Sequence, residues 1–206
     1  MAESPYTVSD VMTHTVVAVG MDAPFKDVVE LLDQWKVSAL PVLAGDGRVV
    51  GVVSEADLLP KEEFRDTDQG ALTERAKASA LTAGGLMSAP AVTVHADATV
   101  AEAARIMARR HVKRLPVVDG VGLLQGVVSR SDLLKVFLRS DDEIAEEIRR
   151  SVLSVLPYGD TLTASVTDGS VTIGGLLPER GLVTLIARAV RAVEGVVDVR
   201  LDLTHR

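Results

Sequence analysis

No cysteine occurs in the 206 residues, so disulfides, thiolate zinc sites and cysteine nucleophiles are excluded and the fold must stand on packing alone. Long apolar runs are missing as well: none approaches the roughly 20 residues a helix needs to span a bilayer. The stretch Met1–Asp10 has neither a basic start nor an apolar core. The expectation is a chain that is not transmembrane, carries no signal peptide and stays in the cytoplasm. The four histidines, His14, His95, His111 and His205, neither pair at ligand spacing nor sit in a nucleophile motif. There is no Gly-x-x-x-x-Gly-Lys-Ser/Thr loop, and after Gly120-x-Gly122 a glutamine, Gln125, stands where a dinucleotide fingerprint has its third glycine. These absences point away from a metal site and from catalysis.

What is present is a soluble globular composition, 47% hydrophobic and 25% charged, long enough for one large or two to three small domains. The net charge of −7 is unevenly spread. Residues 1–60 carry −6, residues 61–82 carry −1, residues 83–140 carry +4 and residues 141–206 carry −4. Within the one basic segment, Arg105, Arg109, Arg110, His111, Lys113 and Arg114 fall inside ten residues and make a local anion-attracting patch. It is too confined for duplex nucleic acid, which calls for a basic stripe along a whole domain.

The chain repeats itself. Residues 11–59 lie on residues 86–134 at a constant offset of 75 without a gap, and 18 of the 49 aligned positions are identical. The matches include Met12/Met87, Asp22/Asp97, Leu40-Pro41-Val42 against Leu115-Pro116-Val117, and Gly51-Val52-Val53-Ser54 against Gly126-Val127-Val128-Ser129. Each copy reads as β-α-β-β-α. A short apolar stretch (Val16–Val19; Ala91–Val94) leads to an N-cap aspartate, Asp22 or Asp97, and then to a helix whose start in the first copy is supported by Pro24. Phe25, Val28, Leu31, Leu32 and Trp35, matched by Val100, Ala103, Ile106 and Met107, recur at the spacing of one apolar face. Two β-rich runs follow, Ala39–Leu43 and Val49–Val53, joined by Gly45-Asp46-Gly47 and repeated as Leu115–Val118 and Leu123–Val128. A unit of about 50 residues buries little surface alone, so the copies are expected to pack about a pseudo-two-fold with a cleft shared between them.

The sharpest local signal is Ser54-Glu55-Ala56-Asp57, repeated as Ser129-Arg130-Ser131-Asp132. A serine three residues ahead of an acid at a strand-to-helix junction reads as a capping box. The same geometry also reads as a ligand site, in which a helix N-terminus meets a phosphate and the carboxylate accepts from both hydroxyls of a ribose. The two readings can coexist. Lys113-Arg114 aligns with Ser38-Ala39, so the two half-sites differ in charge, and phosphate is expected where Lys113 and Arg114 point because arginine grips it with a bidentate fork.

With its Leu-Pro-Val triplet and terminal Gly-x-x-Ser-x-x-Asp, the repeat resembles a tandem pair of cystathionine-β-synthase-type (CBS) domains. The resemblance implies a mixed α+β, α/β fold in which paired repeats form a disc-like module and bind an adenosine derivative (AMP, ADP, ATP or S-adenosylmethionine) between them. It also implies that Asp57 and Asp132 hold ribose, with Ser54 and Ser129 near ribose or phosphate, and that modules associate as a homodimer. Ser38, Lys113 and Arg114 complete the candidate site; no residue is expected to be catalytic and no metal to be bound. The expected boundaries are 8–60 and 83–139 for the repeats, with a polar linker over 61–82 in which Leu72, Ala76 and Ala80 hint at a connecting helix.

A separate domain is expected over 141–206. Ile144, Ile148, Val152 and Val155 form one helical stripe behind an acidic first turn. Asp168-Gly169 is a two-residue hairpin signal between alternating strands, Pro178 opens a second helix that Gly195 ends, and Val197, Val199, Leu201 and Leu203 alternate with charged residues as a last strand. The order αββαβ, with Asp-Gly-Ser-Val-Thr-Ile-Gly-Gly in the hairpin, is similar to a BON domain. That resemblance implies a phospholipid or protein partner, although a charge of −4 weakens attraction to an anionic membrane. Two functional classes follow. One is a non-catalytic sensor that relays nucleotide binding to a partner through the last domain; the other is a constitutive scaffold in which Ser54 and Ser129 merely cap helices.

Overall fold

The computed structural model describes residues 6–63 and 79–204. Leu72 and Ala76 of the expected connecting helix, and His205, lie outside the described residues. The chain forms two compact units: Met12–Ala98 with Glu102–Ser129, and Met1–Val11, Thr99–Ala101 and Arg130–Arg206 so far as they are described.

In the first unit each copy contributes a three-stranded sheet, β1 (Val19–Gly20), β2 (Ala39–Leu43) and β3 (Val49–Ser54) from one and β4 (Val94–His95), β5 (Arg114–Val118) and β6 (Leu124–Ser129) from the other. The first strand runs parallel to the second and the second antiparallel to the third in both sheets. A register shift at Val42/Leu43 recurs 75 residues on at Val117/Val118. The helices Phe25–Trp35 and Val100–Arg110 are followed at equivalent places by residues in the left-handed region, Lys36 at φ 51° and His111 at φ 55°.

The sequence assigns the short helix Ala83–Leu86 to the head of the second copy, yet Ala83 and Leu86 are buried with Val28, Leu32, Leu40 and Val53 of the first. The chain is pinned there by backbone bonds from the Phe25 amide to the Leu81 carbonyl (2.9 Å) and from Ala83 to Ala23 (2.9 Å). The same contact recurs at the start of the other helix, where the Val100 amide donates to the Tyr6 carbonyl and Thr7 bridges Thr99. The head of the second repeat thus completes the core of the first. This overturns the N-cap assignment of Asp22 and Asp97: the helices begin at Phe25 and Val100, and Pro24 at the first cap makes no side-chain hydrogen bond. The orphan first amide is satisfied by the incoming chain instead. Trp35, expected in the core, is 52% exposed, while Val28 and Leu32 carry the buried stripe.

In the second unit β7 (Leu162–Thr167), β8 (Ser170–Leu176) and β9 (Asp198–Thr204) form a sheet in that order, β7 antiparallel and β9 parallel to β8. Helices Asp141–Glu147 and Leu182–Arg191 complete the α-β-β-α-β order read from the sequence. Ser140 and Glu143 make a reciprocal capping box at the first helix. Asp168 (φ 49°) and Gly169 (φ 71°) both take positive φ, as a two-residue hairpin of this hand requires, and their amides donate to the Asp141 carboxylate at 2.8 and 2.9 Å. The single stripe expected from Ile144 to Val155 is broken into an α turn, a π turn (Ile148–Val152) and a 3-10 turn (Leu153–Val155), which leaves Val155 74% exposed. Pro178 does not open the second helix; a turn through Glu179 and Arg180 precedes its start at Leu182. The helix ends at Arg191, and Gly195, at φ 91°, lies beyond it.

Candidate functional site

Strand β3 ends at Ser54, opposite Ala39, and the chain turns there into the four-residue helix Glu55–Leu58. Asp57 Oδ2 accepts from the Ser54 amide at 2.8 Å and from the Ser54 hydroxyl at 2.6 Å. Its other oxygen accepts from the Ser88 hydroxyl at 3.1 Å. Ser88 is delivered by paired backbone bonds with Val52 (3.1 and 2.9 Å), which the Thr13–Val127 pair repeats at the equivalent place. Three donors therefore hold a carboxylate that is only 9% exposed, as a buried charge requires.

On the same cleft, β5 opens with Arg114. Its guanidinium reaches across the repeats, Nη1 donating to the Ala39 carbonyl at 3.3 Å and Nη2 to the Ser38 hydroxyl. Lys113 and His111 stand exposed just before it. Between the two sets lies a cleft of about 350 Å³, floored by Val52, Pro90, Val92 and Val112. Its lining also carries the carboxylates of Glu55 and Asp57 and the basic side chains of Lys113 and Arg114. A small molecule that offers hydroxyls to a carboxylate, a flat apolar surface and negative charge matches that lining.

Five of the seven sequence-derived residues, Ser38, Ser54, Asp57, Lys113 and Arg114, line this cleft. Ser129 and Asp132 do not: Ser129 ends β6 across from Arg114, and Asp132 pairs with Lys135 at 2.7 Å. At the start of the short helix Asp57 accepts from the Ser54 amide while the Glu55 amide donates to the Ser38 carbonyl at 3.1 Å, and the Arg114 fork lies on Ser38 and Ala39. Sequence reasoning missed Ser88, Pro90 and Val92, because nothing local shows that the head of the second copy crosses to the first. His111 was legible only as part of the basic run.

The CBS domain profile matches residues 8–61 and 83–139, more than half of the chain. The chain belongs to the CBS domain family. It carries a tandem CBS pair, and it is 29% identical over 160 residues to the protein MJ1426 of Methanocaldococcus jannaschii, covering 64% of this chain and 90% of that one. It is 31% identical over 153 residues to the chloroplastic CBS domain-containing protein CBSX2 of Arabidopsis thaliana, where the match spans 65% of this chain and 64% of CBSX2. A crystal structure of CBSX2 in complex with AMP superposes with a TM-score of 0.59 at 30% identity, over 65% of this chain and 97% of that one. The matches fall on the CBS pair and leave the last 60-odd residues uncovered by the family profile. No helix among the described residues is long and apolar enough to cross a membrane.

Proposed function

We propose that the chain is a non-catalytic regulatory protein that binds a phosphorylated adenosine derivative in the cleft between its CBS repeats. The observation that carries this is a cleft lined by Asp57, by apolar Val52, Val92 and Val112, and by Lys113, on a family member whose relative CBSX2 is seen with AMP. The ribose hydroxyls meet Asp57, the base lies on the apolar floor, and phosphate extends toward Lys113 and His111, away from the carboxylates. Arg114 and Ser38 fix the wall from which Lys113 projects. By the same charge argument a sulfonium such as S-adenosylmethionine is a poorer fit than AMP, ADP or ATP. Ser129 and Asp132 are assigned to a second, inequivalent half-site. The αββαβ domain, similar to a BON domain, relays occupancy to a protein or phospholipid partner; the CBS modules associate as a homodimer, and the protein works in the cytoplasm.

The scaffold reading draws support from Asp57, whose oxygens already accept from Ser54 and Ser88. Calorimetric titration with adenosine, AMP, ATP and S-adenosylmethionine separates the two. Heat of binding for the phosphorylated nucleotides, stronger than for S-adenosylmethionine, is the expected result. No binding of any of the four at millimolar concentration would leave the scaffold standing.

A further inference from the structure

The last strand, β9, lies at the edge of its sheet and pairs with β8 on one side. Among the described residues no strand covers its outer side. Its seven residues alternate exposed and half-buried, Asp198, Arg200, Asp202 and Thr204 on one face and Val199, Leu201 and Leu203 on the other. The neighbouring β8, flanked on both sides, buries Val171 and Ile173 completely. The half-exposure of the β9 aliphatics therefore follows from the missing neighbour. Unpaired edges are commonly protected by charge, but here the charges alternate in sign along the strand.

That alternation is self-complementary in one register. If two copies of β9 run antiparallel about a two-fold axis through Leu201, position 198 faces 204 and Arg200 faces Asp202 of the second copy, twice over by symmetry. Directly opposed side chains sit about 4.5–5.5 Å apart at Cβ, within reach of an ion pair. A slip that centres the pairing on Arg200 or on Asp202 puts like charges face to face, and centring on Val199 leaves the second half of the strand without a partner strand. Arg200 has only an exposed contact with Asp198 to give up, at 3.4 Å. The same pairing covers Val199, Leu201 and Leu203 and satisfies the backbone groups of the edge.

We propose that β9 is a docking edge for a second copy of this chain, joining two three-stranded sheets into one through Arg200–Asp202 pairs across the two-fold. The interface is independent of the nucleotide cleft. Sedimentation of the full chain over a concentration series tests it. Arg200→Asp and Asp202→Arg should each weaken the association step beyond the CBS-paired dimer about tenfold, since each places like charges opposite one another twice, and Arg200→Asp combined with Asp202→Arg should restore it, with unchanged thermal melts showing that all three fold. Because the chain has no cysteine, Asp198→Cys mixed with Thr204→Cys should form an intermolecular disulfide under oxidation that neither variant forms alone. Assembly that ignores all three charge variants, a wild-type chain that associates no further than a dimer, or no disulfide in the mixture would each overturn the proposal.

Discussion

At the scale of the residue, Asp57 holds two roles with one carboxylate. It closes the capping box of a short helix and lines the cleft. Asp57→Ala is expected to lower stability by about 1 kcal/mol through the lost cap and to abolish nucleotide binding, whereas Lys113→Gln, at an exposed position, should weaken ATP and leave adenosine unchanged. Calorimetry and thermal melts on the two variants check this pair. Glu143 gives a pH test. The Ser140 amide, and then its hydroxyl, hold the Glu143 carboxyl below its ordinary value. A depressed folded value means a contribution that is complete above the ordinary glutamate range and is lost as pH falls through the folded value. The melting-temperature gap between wild type and Glu143→Gln should therefore be full at neutral pH and close in acid; a gap independent of pH would contradict it.

At the scale of the element, the two strand-to-helix units share the Gly-Val-Val-Ser run and the following aspartate but differ in what surrounds them. Gly51 and Gly126 occupy equivalent positions. A Cβ on Gly51 would press on the flexible Met87 side chain, with Cγ at 2.9 Å, whereas one on Gly126 would come within 2.8 Å of the Thr13 carbonyl oxygen. That carbonyl is fixed by its bond from the Val127 amide at 3.0 Å. Gly126→Ala is expected to cost about 1–3 kcal/mol as overpacking against backbone, and Gly51→Ala less; urea titrations should rank them so. The apolar period placed both long helices correctly, but not their caps, since the cap partner of Phe25 is Leu81, far along the chain. It also extended the buried stripe to Trp35, because periodicity marks a face and not how far the neighbouring sheet reaches along it.

At the scale of the molecule, the cleft lies wholly within the unit of Met12–Ala98 and Glu102–Ser129. A nucleotide at about 100 times its dissociation constant should stabilise that unit by roughly 2.7 kcal/mol. Amide exchange should slow in β2, β3 and residues 111–114, and an unchanged exchange pattern would argue against occupancy of this cleft. The duplication, the strand pairs, the αββαβ order and the serine-acid motif were all written in the sequence, because spacing and periodicity are local or simply repeated properties. The partners of that motif were not. Which copy receives the head at residue 82, that Ser88 meets Asp57, that Arg114 turns to Ser38, and that Lys113 and Asp57 line one cleft are decided only when distant segments pack. Those choices depend on satisfying orphan backbone groups and buried charge in three dimensions, which no linear pattern records.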